Sequence, residues 1–304
     1  MPFDKRSFVV PDGTRFEEHT IVSPGDVVLG NHVRCEFGLA TSGRIFAGEN
    51  VHVDGHLKTP GELRLDHFCR VSGSIEAGGN VYLGEKSRIE GKLVVGGDLD
   101  VGDDVAIAQG FEAKGWINIR NPVPIVVYLF LYLMELLRLG KSDEVEKLLA
   151  EIEAAQERIQ IRENFLYIPD GSTVGLTNSV IKGNLFVGKG CRVLGNYVVH
   201  GTVNIGPEAK IFGAVRAAGN VRVQAKAEVQ GTLESSRSIL IGEEVRVLGD
   251  VRAETVDMSH NAVVDGRVVA PGGIRFSTQQ SLAMQDKVER YAAGIRDDIV
   301  DLLT

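Results

Sequence analysis

The sequence predicts a mainly β protein built as two tandem three-sided β-helices. Three observations predict it. Glycine recurs every eighteenth residue, at Gly25, Gly43, Gly61, Gly79, Gly97 and Gly115, and again at Gly183, Gly201 and Gly219. Apolar residues recur in the same register. The second half of the chain repeats the first at an offset of 158 residues. A fixed period shared by glycine and apolar residues marks a repeat architecture.

Rows of eighteen residues show how a coil is made. One reads Val27, Leu29, Val33, Cys35, Leu39, Thr41; the next reads Ile45, Ala47, Val51, Val53, Leu57, Thr59. Rows beginning at Leu63, Val81 and Leu99 follow. Within a row the steps alternate between two and four. A step of two keeps both side chains on one face of a strand, and a step of four spans a corner. Three such pairs per row give three short strands per coil, with coils stacked about 4.8 Å apart. Glycines fall at the corners, which call for positive φ or for crowded backbone.

The second half follows the same rules. Val10-Pro11-Asp12-Gly13-Thr14 becomes Ile168-Pro169-Asp170-Gly171-Ser172, and Gly25 and Gly30 become Gly183 and Gly188. Rows begin at Leu185, Val203, Val221, Ile239 and Val256, the last one residue short. The organisation expected is an N-terminal β-helix over 1–122, a helical hairpin over 123–164, a C-terminal β-helix over 165–276 and a C-terminal amphipathic helix over 277–304.

The two aperiodic segments read as helical. Pro122 and Pro124 stop the strand pattern and suit a helix start. Ile125 to Met134 is apolar on every side, and Gly140 reads as a stop. Ser142 then caps a second helix, with a stripe at Val145, Leu148, Leu149, Ile152 and Ile159. In the tail, Leu282, Val288, Tyr291, Ile295, Ile299 and Leu302 follow a 3.6-residue period. The apolar run is short of the roughly 20 residues a membrane span needs. Its roles reduce to a cap on a rod end, a contact with another chain, or an interfacial membrane contact. The surface expected to serve self-association, partner or membrane is therefore Ile125, Val126, Leu129, Phe130, Leu133 and Leu137, with Leu282, Val288, Tyr291, Ile295 and Ile299.

Composition narrows the function. A net charge of −8 argues against a nucleic-acid binder, which is usually basic. The three cysteines, Cys35, Cys69 and Cys191, all fall on inward columns and read as small buried hydrophobes. No CxxC spacing occurs and no secretory signal is visible at the N-terminus, which fits a cytoplasmic protein, with membrane association left open. The seven histidines show no metal-ligand spacing, and no phosphate-binding loop of the GxxxxGK[ST] kind occurs. The expectation is a chain without enzymatic activity, metal or cofactor. One outward column is basic: Arg34, His52, Arg70 and Arg88, then Arg192, Lys210 and Arg246. It reads either as an anion or acidic-lipid stripe or as a solvated face balanced by Glu36, Asp54 and Glu90, and the balance favours the solvated face.

Val81-Tyr-Leu-Gly-Glu-Lys-Ser-Arg-Ile-Glu-Gly91, Val203-Asn-Ile-Gly-Pro-Glu-Ala-Lys-Ile-Phe-Gly213 and Ile239-Leu-Ile-Gly-Glu-Glu-Val-Arg-Val-Leu-Gly249 resemble the bactofilins, the polymer-forming cytoskeletal family. The resemblance covers both rods. It implies a right-handed β-helix that assembles end to end into filaments without nucleotide, often at a membrane. It makes the chain a self-associating scaffold, as oligomer or filament. Two rods and added helices depart from the usual single rod with short tails. An adaptor tethered to membrane or partner through 125–139 is the alternative. A left-handed hexapeptide-repeat acyltransferase is the remaining rival; it also uses eighteen residues per coil, but its inward pairs usually begin with a small residue.

Overall fold

The computed structural model describes residues 5–119 and 164–277. Among these residues the fold is all strand and turn, a β-solenoid with about eighteen residues per coil. The helices expected over 123–164 and 277–304 lie outside the described residues, apart from the boundary residues 164 and 277. The chain divides into two compact units: His19–Tyr167, and Met1–Glu18 together with Ile168–Thr304.

In the unit His19–Tyr167, three strand columns form three faces. The first face stacks Asp26–Leu29, Ile45–Ala47, Leu63–Leu65, Val81–Leu83, Leu99–Val101 and Ile117–Ile119. The second stacks Arg34–Cys35, His52–Val53, Arg70–Val71, Arg88–Ile89 and Ala106–Ile107. The third stacks Thr20–Ser23, Gly38–Thr41, Leu57–Thr59, Ile75–Ala77, Leu93–Val95 and Phe111–Ala113. Pairing is parallel at an offset of eighteen, as in Leu63 to Val81 and Val81 to Leu99. Parallel strands buried against a shared interior want aliphatic and β-branched side chains inward. Leu63, Val81, Leu93 and Leu99 are fully buried.

The other unit repeats this plan. One face runs from Asn184–Val187 through Val203–Ile205, Val221–Val223, Ser238–Ile241 and Thr255–Ser259 to Ile274–Ser277. The register drops to seventeen where the short row falls, pairing Ile239 with Val256 and Arg246 with Val263.

The glycine columns have a different cause from the positive φ that corners call for. The left-handed corner residues are His32, Asn50, Phe68, Lys86 and Asp104, then Gly190, Glu208, Lys226 and Glu244, all but one of them not glycine, with φ between 53° and 62°. The periodic glycines sit where one coil's backbone presses on the next. A Cβ on Gly73 would stand 2.5 Å from the Gly55 carbonyl carbon, well inside van der Waals contact.

Residues 5–18 belong to the same compact unit as the coils from Ile168 onward. Ser7–Val10 pairs in parallel with Asn184–Val187, Ser7 opposite Asn184 and Val10 opposite Val187. Gly188 N donates to Val10 O at 2.8 Å, and Asn184 N to Arg6 O at 3.0 Å. Phe8, Val10 and Phe16 are buried. The matching leader of the second repeat, Phe165–Ile168, lies beside Asp26–Leu29 of the first. Each repeat's leading strand is thus received by the other repeat's coils. The glycines mark both seats: a Cβ on Gly183 would overlap the Arg6 carbonyl, and one on Gly25 the Asn164 carbonyl.

Candidate assembly surfaces

Short coils leave backbone N–H groups at their corners, and side chains from the coil before accept them. Arg44 N donates to Asp26 Oδ1 at 2.9 Å, Glu49 N to Asn31 Oδ1 at 2.9 Å, and Asp98 N to Asn80 Oδ1 at 2.9 Å. The column continues with Trp116 N donating to Asp98 Oδ1 at 2.8 Å. The second unit uses the same device, with Thr202 N on Asn184 Oδ1 and Ala214 N on Asn196 Oδ1. Two outward histidines act in the same way. His56 Nδ1 accepts from Ser74 N at 2.9 Å and His67 Nδ1 from Glu85 N at 3.1 Å. These rings carry their proton on Nε2 while they hold the coils together.

All three cysteines are buried with free thiols. Burial pushes the Cys35 thiol up to about 12 and the Cys69 thiol up to about 11, and it raises Cys191 as well. Such thiols are inert rather than nucleophilic. Among the described residues no group of three or more His, Cys, Asp or Glu side chains could hold a metal ion.

The basic column exists in register. Arg34, His52, Arg70 and Arg88 stand opposite one another on successive strands. Arg34 pairs with Asp54 at 3.4 Å. In the second unit Lys210 meets Glu228 at 3.3 Å, Arg246 meets Asp265 at 3.1 Å, and the Arg192 guanidinium lies over the Phe212 ring. These are exposed pairs of the kind that contribute about 0–1 kcal/mol, and they fit the solvated-face reading.

The ends of the coils differ from their middles. At the last described coil of the first unit, Ile117 and Ile119 continue the inward column of Leu99 and Val101, and Phe111 continues that of Leu93. Yet Ile119 is 73% exposed, and Phe111 and Ile117 are nearly half exposed. In the other unit Phe276 continues Met258 and Ile274 continues Val256, and Phe276 is 69% exposed. Among the described residues, the last coil of each unit leaves apolar positions of the core columns exposed. Sequence reasoning missed these residues as surface because their spacing is that of core; only their place at the end of the stack exposes them. The expected surface residues Ile125, Val126, Leu129, Phe130, Leu133, Leu137, Leu282, Val288, Tyr291, Ile295 and Ile299 lie outside the described residues.

Fold and surfaces together define a β-solenoid whose last described coils expose apolar positions of the core columns. Residues 177–273 match the family model of the bactofilins, described as polymer-forming cytoskeletal proteins. The matched range spans the coils of the second rod. No curated protein and no solved structure matches the chain. Among the described residues no helix is long and apolar enough to cross a membrane.

Proposed function

We propose that this chain is a non-catalytic structural scaffold that self-associates through the open last coils of its two β-helical units. The observation that carries the reading is the exposure of core-column residues at both ends, Ile117 and Ile119 in one unit and Ile274 and Phe276 in the other. A terminal strand with unpaired backbone groups and apolar side chains is a template for pairing with another chain. The family match, to proteins described as polymer-forming, supports the same reading. Two open coils per chain make it divalent, so association extends rather than stops at a pair.

Sedimentation velocity and negative-stain microscopy over a range of concentrations test this. The wild type is expected to form assemblies that grow with concentration. Ile119→Asp and Phe276→Asp, made separately, are expected to leave shorter species, and the double variant single chains. A wild type that stays a single chain at high concentration across salt conditions overturns the proposal.

A further inference from the structure

The last described coil of the unit His19–Tyr167 carries a charge pattern that restricts what it can face. Its strands are Ala106–Ile107, Phe111–Ala113 and Ile117–Ile119. Its charged side chains are Asp103, Asp104, Glu112 and Lys114, all exposed. Glu112 is paired with Lys92. Among the described residues Asp104 and Lys114 have no ion pair. The same coil ends a clamp column. Asn80 accepts from Asp98 N, and Asp98 accepts from Trp116 N. An indole has a donor and no acceptor, so position 116 has nothing to offer the N–H of a further coil. Trp116 is instead 85% exposed.

Geometry limits how this coil can meet its copy in another chain. Two identical coils laid end on end run in opposite senses, as two clock faces do when pressed together. Their strands then pair antiparallel, and a twofold axis passes through one of the three faces. Through the first face the axis falls at Asn118. Ile117 then faces Ile119, Phe111 faces Ile107, Trp116 faces Gly102 and Lys114 faces Asp104, each contact made twice. Through the second face, Lys114 faces Trp116 and Asp104 faces Ala108. Through the third, Glu112 faces itself. Laid in the first way on the last coil of the other unit, Lys114 meets Asn261, Asp104 meets Pro271 and Asn118 meets Arg275. Among these arrangements only the twofold one through Asn118 sets unlike charges opposite while it covers apolar side chains with apolar side chains. Directly opposite positions of an antiparallel pair bring Cβ atoms to about 5 Å, where unlike charges stabilise and like charges destabilise.

We infer that this coil pairs with the same coil of a second copy about a twofold axis through Asn118, with Lys114 of each chain on Asp104 of the other. It rests on the scaffold reading of the chain and adds which ends meet. Association through Ile117–Ile119 closes in pairs, and longer assemblies need the last coil of the other unit as well.

Full-length chains carrying Phe276→Asp, which disables that other coil, test this by sedimentation velocity. They are expected to form pairs and nothing longer. Added singly to that background, Lys114→Glu and Asp104→Lys each set like charges opposite, and each is expected to weaken pairing at least about tenfold. Lys86 holds the corner position of Asp104 one coil earlier, at φ 57°, so a lysine fits there, and circular dichroism checks that both variants keep the β-helix signal. Mixing the two variants is expected to restore pairing. The new acid of one chain then faces the new base of the other, and the unsubstituted Lys114 and Asp104 face each other. Single variants that pair as tightly as the background, or a mixture no tighter than its parts, overturn the inference. So do Phe276→Asp chains that stay single while the wild type assembles, a result that leaves the scaffold reading standing. A wild type that never assembles overturns that reading itself.

Discussion

At the scale of single residues, the glycine columns separate two demands that a repeat pattern blends. Gly73 is required because the neighbouring coil's backbone occupies the space of a side chain. Lys226 holds φ at 61° without being glycine, and a left-handed non-glycine residue costs roughly 1–2 kcal/mol. Gly73→Ala is therefore expected to lower the unfolding free energy by more than about 2 kcal/mol. Lys226→Gly should leave it within about 1 kcal/mol of wild type, because relief of strain offsets the added freedom of the unfolded chain. Urea denaturation of both variants checks the contrast. Both positions carry the eighteen-residue period, yet only one is glycine. Period alone names the corners without saying which of them are crowded.

The buried thiols give a second residue-scale prediction. Cys35 and Cys69 hold their protons to about 12 and about 11, against an ordinary value of 9.0. In the unfolded chain both thiols release protons from about pH 9, so the native state binds more protons above that point and stability falls as pH rises. The contribution is whole below pH 9 and is lost progressively toward the native values. Each thiol adds a slope of about 1.4 kcal/mol per pH unit in that window. Cys35→Ala should flatten the decline measured by urea unfolding between pH 9 and pH 10.5, whatever its effect at pH 7. The inward address of these cysteines was legible from the rows; their inertness follows from the burial that address implies.

At the scale of elements, strands of two to five residues are held by ladders that run from coil to coil, with side-chain clamps at the corners. Asn80 and Asp98 belong to one clamp column, each accepting the N–H eighteen residues on. Asn80→Ala removes an acceptor from Asp98 N and is expected to cost about 0.5–1.5 kcal/mol. Hydrogen exchange should show the loss at the Asp98 amide and its neighbours, with coils several rows away unchanged, since a solenoid couples nearest neighbours most strongly. The rows placed strands and faces correctly because inward side chains must be apolar at fixed spacing. The clamps obey no such rule: Asp, Asn, His and Ser all accept an N–H, so His56 and His67 read as idle outward residues until their Nδ1 atoms are seen to face a backbone donor.

At the scale of the whole molecule, the duplication at an offset of 158 raises a question that sequence cannot answer. The two leaders, Val10-Pro11-Asp12-Gly13-Thr14 and Ile168-Pro169-Asp170-Gly171-Ser172, are alike. Either could seat against either rod, because a parallel ladder reads backbone and small corner residues rather than identity. The structure seats the first on Asn184–Val187, with Asp12 Oδ1 accepting from Lys189 N at 2.7 Å and Cys191 Sγ within 3.1 Å of Pro11 O. Residues 1–18 thereby complete a unit whose other coils begin more than 150 residues later in the chain. Removing residues 2–16 takes away Phe8, Val10 and Phe16, three buried large side chains, worth on the order of 5 kcal/mol or more by burial. It also removes Arg6 O and Val10 O, the acceptors of the Asn184 and Gly188 amides. Hydrogen-exchange mass spectrometry of the truncated chain should show lost protection centred on 184–194, fading over the following coils, while 45–101 keeps its protection. If protection were lost first around 26–47 instead, the first leader would be seated on its own repeat, and the exchange of leaders between repeats would be wrong.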